Sequence, residues 1–479
     1  MGQTRSKCVM SVISWIKGVI QKMFGTDIKA QFGAEAVTSS EMTAAICRWM
    51  NVYQGLPGWT DDEIKTINFA KTICSETARL TTLALGINIS GTTRASWLQE
   101  QVNRTLRPRL RWWVEYGCAG GTVIFKPNGQ GIDVVTPDRF IITEYDSSTK
   151  KITGIVFQDT YTAGKDIYSK LEYHRFEGNT YRVSTKAFRS QSKDVLGTEI
   201  PLTQTRWAEI QPEAGISTVD GKGIRHMLFG VLTMPEANNI DLDSPLGMSL
   251  FSGALEELKD LDIAYSRNAW ELDNSNSIEL IDDALIMSGN VKKKKARTRF
   301  ALPSHVHNIT GNDVGDFYQS IDRPLKTDMR KIGINQQLSF IGYKCGYSNG
   351  YFVFDEKTGM ATATQVESDD RRTIQLIKDI RDQLQSALDD TIYAMGVFAD
   401  LYGLAPTGTY ETAYDFGDIT YNEDEDRSRN YQLMIQGIIP KWYYLMKWEG
   451  FSEADARKIA KEAQTPEREG LFAGQEGQK

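Results

Sequence analysis

The stretch Gly247-Met248-Ser249-Leu250-Phe251-Ser252-Gly253-Ala254-Leu255-Glu256-Glu257-Leu258-Lys259-Asp260-Leu261-Asp262-Ile263-Ala264-Tyr265 decides how this chain is read. Leu250, Ala254, Leu258, Leu261 and Tyr265 recur at three or four residues, the spacing of one helix face, and predict a helix from Ser249 to about Asn274. A second helix is predicted from Pro324 through Ile341, because proline is favourable at the first helical position. Between them, 276–321 reads as a compact insert with strand-like Ile278-Glu279-Leu280-Ile281, a basic run, and turns at Gly289 and Gly311.

Toward the N-terminus, Ser39 to Trp113 is patterned as helix, with Met42, Ile46, Trp49, Ile67, Ala70, Ile73 and Ala78 on the apolar faces and Pro57-Gly58 as punctuation. From Thr122 the period becomes two, through Val123, Phe125, Ile132, Val134, Ile141, Ile155 and Val156, which predicts a β-rich region to about Trp207. Leu171-Glu172-Tyr173-His174 and Tyr181-Arg182-Val183 read as a hairpin around Glu177-Gly178-Asn179. Residues 208–247 are turn-rich, and Ser244-Pro245-Leu246-Gly247 reads as a helix start. The fold class expected from this alternation is α+β.

Toward the C-terminus, 342–362 mixes Gly342, Gly346, Gly350 and Gly359 with Tyr347, Tyr351, Phe352 and Phe354, the composition of a functional loop. The longest helix is predicted from about Ala363 to Tyr402, with the apolar stripe Ile377, Ile380, Leu384, Leu388, Ile392 and Met395. That stripe suits packing against a neighbouring subunit, or equally packing inside its own. Asp355 to Asp400 carries ten acids against five bases. A strand-like Tyr410-Thr412-Tyr414-Phe416 pattern leads into the acidic turn Asn422 to Asp426, then helices from Arg427 to Gln436 and from Ser452 to about Gln464. The polar, glycine-bearing residues 465–479 are expected to be disordered.

The 479 residues, 41 % of them hydrophobic, suffice for about three modules. A formal charge of −7 argues against coating nucleic acid by bulk electrostatics, so any such contact must be local. Cys8, Cys47, Cys74, Cys118 and Cys345 are odd in number and far apart, without CxxC or CxxH spacing, which disfavours a disulfide framework and a structural zinc site. The chain therefore reads as intracellular and reduced, and the sequons at Asn88, Asn103 and Asn308 as chance matches. No run reaches eighteen apolar residues, so no membrane span is expected. Val9, Ile13, Ile16, Ile20 and Phe24 share one face of an amphipathic helix, and Met1-Gly2-Gln3-Thr4-Arg5-Ser6 fits a loose myristoylation pattern.

Catalytic motifs are lacking: there is no GxxxxGK[ST], HExxH, GxSxG or strand-linked GxGxxG, so no enzyme and no cofactor are expected. His305 and His307 alternate on a strand and form the one metal-binding candidate, with Asp313 and Asp316 as nearby acids, but no acid or cysteine stands at ligand spacing and no metal is expected. The sharpest charge feature is Lys292, Lys293, Lys294, Lys295, Arg297 and Arg299, six cations within eight residues. It is either a solvated loop or a contact for phosphates or an acidic partner, since clustered cations release counterions from a duplex. Lys326 and Arg330 stand four apart and share one face of the second helix.

The order of these parts resembles the portal proteins of tailed bacteriophages, of the long-tailed type. The likeness rests on Gly247 to Phe251 with Leu258 to Ser266, on Glu172-Tyr173-His174, on Thr362-Ala363-Thr364-Gln365-Val366 and on Gly450-Phe451-Ser452-Glu453-Ala454-Asp455-Ala456, and covers roughly 40–465. It implies a ring of twelve copies at one capsid vertex, the channel for packaging and ejecting double-stranded DNA. After an N-terminal amphipathic segment (1–39), a mixed α/β wing (40–247) would precede a stem helix (248–275), a small inserted α/β clip (276–321) and the returning stem helix (322–341). A tunnel loop and long wing helix (342–404), a helical crown (405–465) and a disordered tail (466–479) would follow.

On that resemblance Gly346, Tyr347, Ser348, Asn349, Gly350, Tyr351 and Lys357 belong to the tunnel loop, and Lys326 and Arg330 to charged belts in the stem. Lys292 to Lys295 with Arg297 and Arg299 would meet DNA or a neck protein at the clip, and Ile377, Ile380, Leu384, Leu388 and Ile392 would lie between subunits. The implied partners are further copies of the chain, DNA bound without sequence preference, the terminase packaging motor, a neck or adaptor protein, the major capsid protein and scaffold. The implied location is the virion, and the host cytoplasm during assembly. The alternative from a different class is a peripheral membrane protein using the 9–24 helix and the polybasic loop.

Overall fold

A computed structural model describes residues 28–192, 195–216, 218–219, 222–224, 226–273, 278–282, 306–309, 318–321, 326–353, 371–417 and 423–462. The fold is mixed α+β, and the chain divides into two compact units, Met1–Phe416 and Gly417–Lys479. After helical residues at 28–32, the first unit continues with α1 (Ser40–Tyr53), whose N-cap Ser39 accepts from the Met42 N–H, and α2 (Phe69–Thr81). Strand β1 (Gly86–Gly91), α3 (Thr93–Gln101), a short π-helical turn at Val102–Leu106 and α4 (Leu110–Gly120) follow.

Strands β2 (Thr122–Pro127) and β3 (Ile132–Val135) lead to the main antiparallel sheet, whose order is β4 (Phe140–Tyr145), β5 (Ile152–Ala163), β6 (Asp166–Glu177), β7 (Thr180–Ser190) and β8 (Thr198–Ile200). The expected hairpin is β6–β7, closing at Glu177 opposite Thr180 with Gly178 at φ +61°. One apolar cluster gathers Ile28, Ile141, Val156, Leu171, Tyr173 and Phe188, and a second gathers Ala187, Leu202 and Trp207. Strand β9 (Glu213–Ile216) adds to β7, and β10 (Gly230–Thr233) pairs with β2.

Helix α5 (Leu255–Asp273) then runs out to a small sheet of β11 (Ile278–Asp282), β12 (Val306–Ile309) and β13 (Tyr318–Ile321), and α6 (Thr327–Lys344) returns against α5. The long α7 (Arg371–Leu401) packs on β10, where any Cβ at Gly230 would collide with the Ala387 carbonyl. Strand β14 (Tyr410–Asp415) ends the unit by pairing with β1. The second unit holds α8 (Glu423–Ile435), α9 (Lys441–Trp448) and α10 (Glu453–Glu462), the last capped by Ser452, whose Oγ accepts from the Asp455 N–H.

Five expectations change. The Ser244 to Gly247 stretch is not a helix start: Gly247 lies against the backbone of Gly121, and the helix begins at Leu255 after one tight turn. Strand β1 interrupts the region read as helical, because its partner lies more than three hundred residues away in sequence. That pairing also carries 410–416 into the first unit, so the boundary expected at 405 falls after Phe416. The acidic stretch at 423–426 is not a separate turn but forms the first turn of α8. Ile377, Ile380, Leu384, Leu388 and Ile392 are fully buried inside this one chain against α2, β2 and β10, which removes them from a subunit interface.

Candidate functional site

The helix pair α5–α6 is the candidate site, because its burial pattern stops halfway. On α5, Leu255, Leu258, Leu261, Asp262 and Ser266 are buried, and from Arg267 to Leu272 no residue is. On α6 burial begins only at Asn335 and continues through Leu338 and Ile341. The outer halves therefore project from the body, and the Glu271 carboxylate fastens them by accepting the Lys326 backbone N–H at 3.0 Å and pairing with Arg330. These contacts hold the Glu271 carboxyl below its usual range, the Lys326 N–H contributing most. Lys326 precedes α6 rather than sharing a helix face with Arg330, and the Arg330 charge is matched within the chain, which weakens the two as channel cations.

The outer face of α6 carries Met329, Ile332, Phe340 and Tyr343, exposed by 73, 67, 50 and 58 %. Their spacing of three, eight and three residues puts them on one stripe, opposite the buried Leu338 and Ile341. A helix apolar on both faces needs a cover on each. On the neighbouring α5, Tyr265, Trp270 and Leu272 are also exposed.

The connector 345–353 is packed rather than open. Tyr347 is buried with its hydroxyl on Thr77 Oγ1, and burial drives that phenol far above its ordinary pKa. Buried Ser348 exchanges hydrogen bonds with Thr373, its N–H donating to Oγ1 at 2.9 Å, and the Tyr351 hydroxyl donates to Glu76 at 2.6 Å. Gly346 and Gly350 adopt φ +84° and +79°, which only glycine accepts without strain. Tyr347 and Ser348 thus cannot line a tunnel; Asn349 is the exposed residue of the segment. Lys357, the motif at 362–366, the polybasic run 292–299, His305, Asp313, Asp316 and the 1–24 segment lie outside the described residues.

Two buried arginines fix α7. Arg94, 2 % exposed, donates to the carbonyls of Gly396, Ala405 and Pro406 and pairs with Asp400. Arg381 donates to the Leu80 and Thr81 carbonyls at the end of α2. In the main sheet, Glu172 lies between Lys126, Lys170 and His174, and the His174 Nδ1 meets the Tyr181 hydroxyl at 2.7 Å. Burial opposes ionisation of Glu172, yet the surrounding cations hold its carboxyl well below the usual range, while burial lowers the pKa of His174. Cys47, Cys74, Cys118 and Cys345 are buried thiols. His307 lies on β12 opposite Leu280, and among the described residues no group of three His, Cys, Asp or Glu is placed to hold a metal.

Sequence reading passed over two features. The α6 stripe was hidden because its apolar residues fall on both sides of the helix. The arginines Arg104, Arg107, Arg109 and Arg111, four cations in eight residues, were hidden by the interleaved Leu106 and Leu110 that anchor them. No family model and no curated protein sequence matches this chain. Among the described residues no helix is long and apolar enough to cross a membrane.

Proposed function

We propose that this chain is the subunit of a ring that forms the portal channel of a tailed bacteriophage, with the α5–α6 pair as its stem, the β11–β13 module as its clip, 40–247 as its wing and the C-terminal helical unit as its crown. The observation that carries the reading is the projecting helix pair with an apolar stripe on its outer face. A head-to-tail contact repeated around a closed ring covers that stripe on every copy at once. In this role the ring admits and releases double-stranded DNA without reading its sequence, and its exposed ends dock the packaging motor, the neck protein and the capsid shell.

Native mass spectrometry of the full chain tests the proposal. A single species at a whole-number multiple of 53.9 kDa, large enough for a ring, is expected. A monomer that persists at high concentration and on addition of capsid and scaffold proteins would overturn it.

A further inference from the structure

The region between α3 and α4 holds a second charged surface, distinct from the stem. Val102, Leu106, Leu110 and Trp113 are buried and clamp the segment to the body. That spacing turns Arg104, Arg107, Arg109 and Arg111 outward, and all four are exposed. Arg104 donates to the neutral Gln101 amide, and none of the four makes an ion pair with a carboxylate of the described residues. Glu76 is hydrogen-bonded by Arg79 and the Tyr351 hydroxyl, and the Arg111 charge acts on the same carboxylate through space. Four exposed guanidinium groups without a direct ion pair among the described residues repel one another and gain from an external anion, in a chain of net charge −7.

A cavity of about 300 Å³ opens beside them, walled by Arg107, Leu110 and Arg111 of this segment and by Thr82 and the residues from Ala84 to Ile87. Guanidinium groups match phosphate oxygens in pairs, with a rigid fork that ammonium groups lack. Of the residues around it, Leu85, Ile87 and Leu110 are themselves buried, which leaves Arg107 and Arg111 as the charged groups that face a ligand. Interfaces with nucleic acid have this character, polar and strongly positive.

We propose that Arg104, Arg107, Arg109 and Arg111 form a binding ridge for the phosphate backbone of nucleic acid, without sequence preference. A phosphate group enters the cavity between Arg107 and Arg111, and Arg104 and Arg109 hold the phosphates on either side. This surface stands on the wing and does not rest on the ring reading: a monomer would carry it equally.

The test uses the full chain and a labelled mixed-sequence duplex of roughly 30 base pairs, titrated between about 50 and 200 mM salt. Each phosphate neutralised contributes about 0.9 to the slope of log affinity against log salt, so four contacts make a fourfold rise in salt cost about a hundredfold in affinity. Replacing all four arginines with Gln is expected to remove that part of the slope, while replacing all four with Lys is expected to keep the slope and lower the affinity at every salt concentration. The same differences are expected in a background with Lys292 to Lys295 changed to Ser, which separates the ridge from the polybasic run. Equal slopes for the chain and its Gln variant would overturn the proposal, as would the absence of DNA binding by the unmodified chain. Displacement of the duplex by polyglutamate at equal charge concentration would also overturn it, assigning the ridge to an acidic protein.

Discussion

Replacing Ile332 with Glu separates the stability of the subunit from the stability of its assembly. Ile332 is 67 % exposed on the outer stripe of α6, so in the single chain the new carboxylate stays in water. An exposed helix position of this kind changes folding free energy by only about 0.5 kcal/mol. In an assembly that covers the stripe, the account differs. Full burial of an isoleucine side chain is worth roughly 1.5–3 kcal/mol, of which about two thirds remains to be gained at Ile332, or about 1–2 kcal/mol. Burying an unpaired carboxylate in its place adds a penalty of several kcal/mol, giving a loss of about 4–6 kcal/mol per contact. At 1.4 kcal/mol per decade, that weakens each subunit contact by about a thousandfold or more. Sedimentation velocity reads the assembly, and urea unfolding of the dissociated protein reads the fold. The expected result is a folded subunit of unchanged midpoint that no longer assembles, with Ile332→Leu assembling normally. If Ile332→Glu assembles as the unmodified chain does, the stripe is not the interface.

Three further outcomes follow from the packing. Arg94→Met strips Asp400 and three carbonyls of their buried partner and is expected to cost about 3–5 kcal/mol in chemical denaturation; a loss below about 1 kcal/mol would show that this cluster is dispensable. Leu384→Ala is expected to lower stability by about 2–5 kcal/mol while leaving assembly intact once folded, and loss of assembly without loss of stability would return that stripe to a subunit interface. Acidification is expected to destabilise the wing in two stages. Because the folded pKa of His174 lies below its unfolded value near 6.5, its contribution is complete above about pH 6.5 and falls as the pH drops toward the folded value. Because Glu172 is likewise depressed, its contribution is complete above its unfolded value of about 4.3 and is lost as the pH falls through its folded value. Melting temperatures of the unmodified chain and His174→Phe across this range check the first stage, where the variant should show the flatter profile.

The parts of the fold legible from sequence are those set by local chemistry. Ser39 and Ser452 mark helix starts because their hydroxyls accept orphan backbone N–H groups a few residues away. The β6–β7 hairpin is legible because Gly178 supplies its turn between two alternating runs. Strand β1 is not, since Ile87 and Ile89 give only two points of alternation and the partner is β14. The same distance effect governs the site. A periodic apolar stripe such as Ile377 to Ile392 shows that a face is covered but not by what, and here α2, β2 and β10 cover it. The glycine- and tyrosine-rich connector looks like an open loop until Thr77, Thr373 and Glu76, each on another part of the chain, supply partners for Tyr347, Ser348 and Tyr351. Conversely, the exposed stripe of α6 is visible only once the body is seen to occupy the opposite face.

The central claim, a closed ring with the α5–α6 pair turned toward its axis, is tested most directly by single-particle electron microscopy of the assembled full chain. The account predicts a ring whose central channel is wide enough for a duplex, with each Met329 to Tyr343 stripe covered by the adjacent copy. A closed particle without an axial channel, or a ring in which that stripe faces solvent, would contradict it.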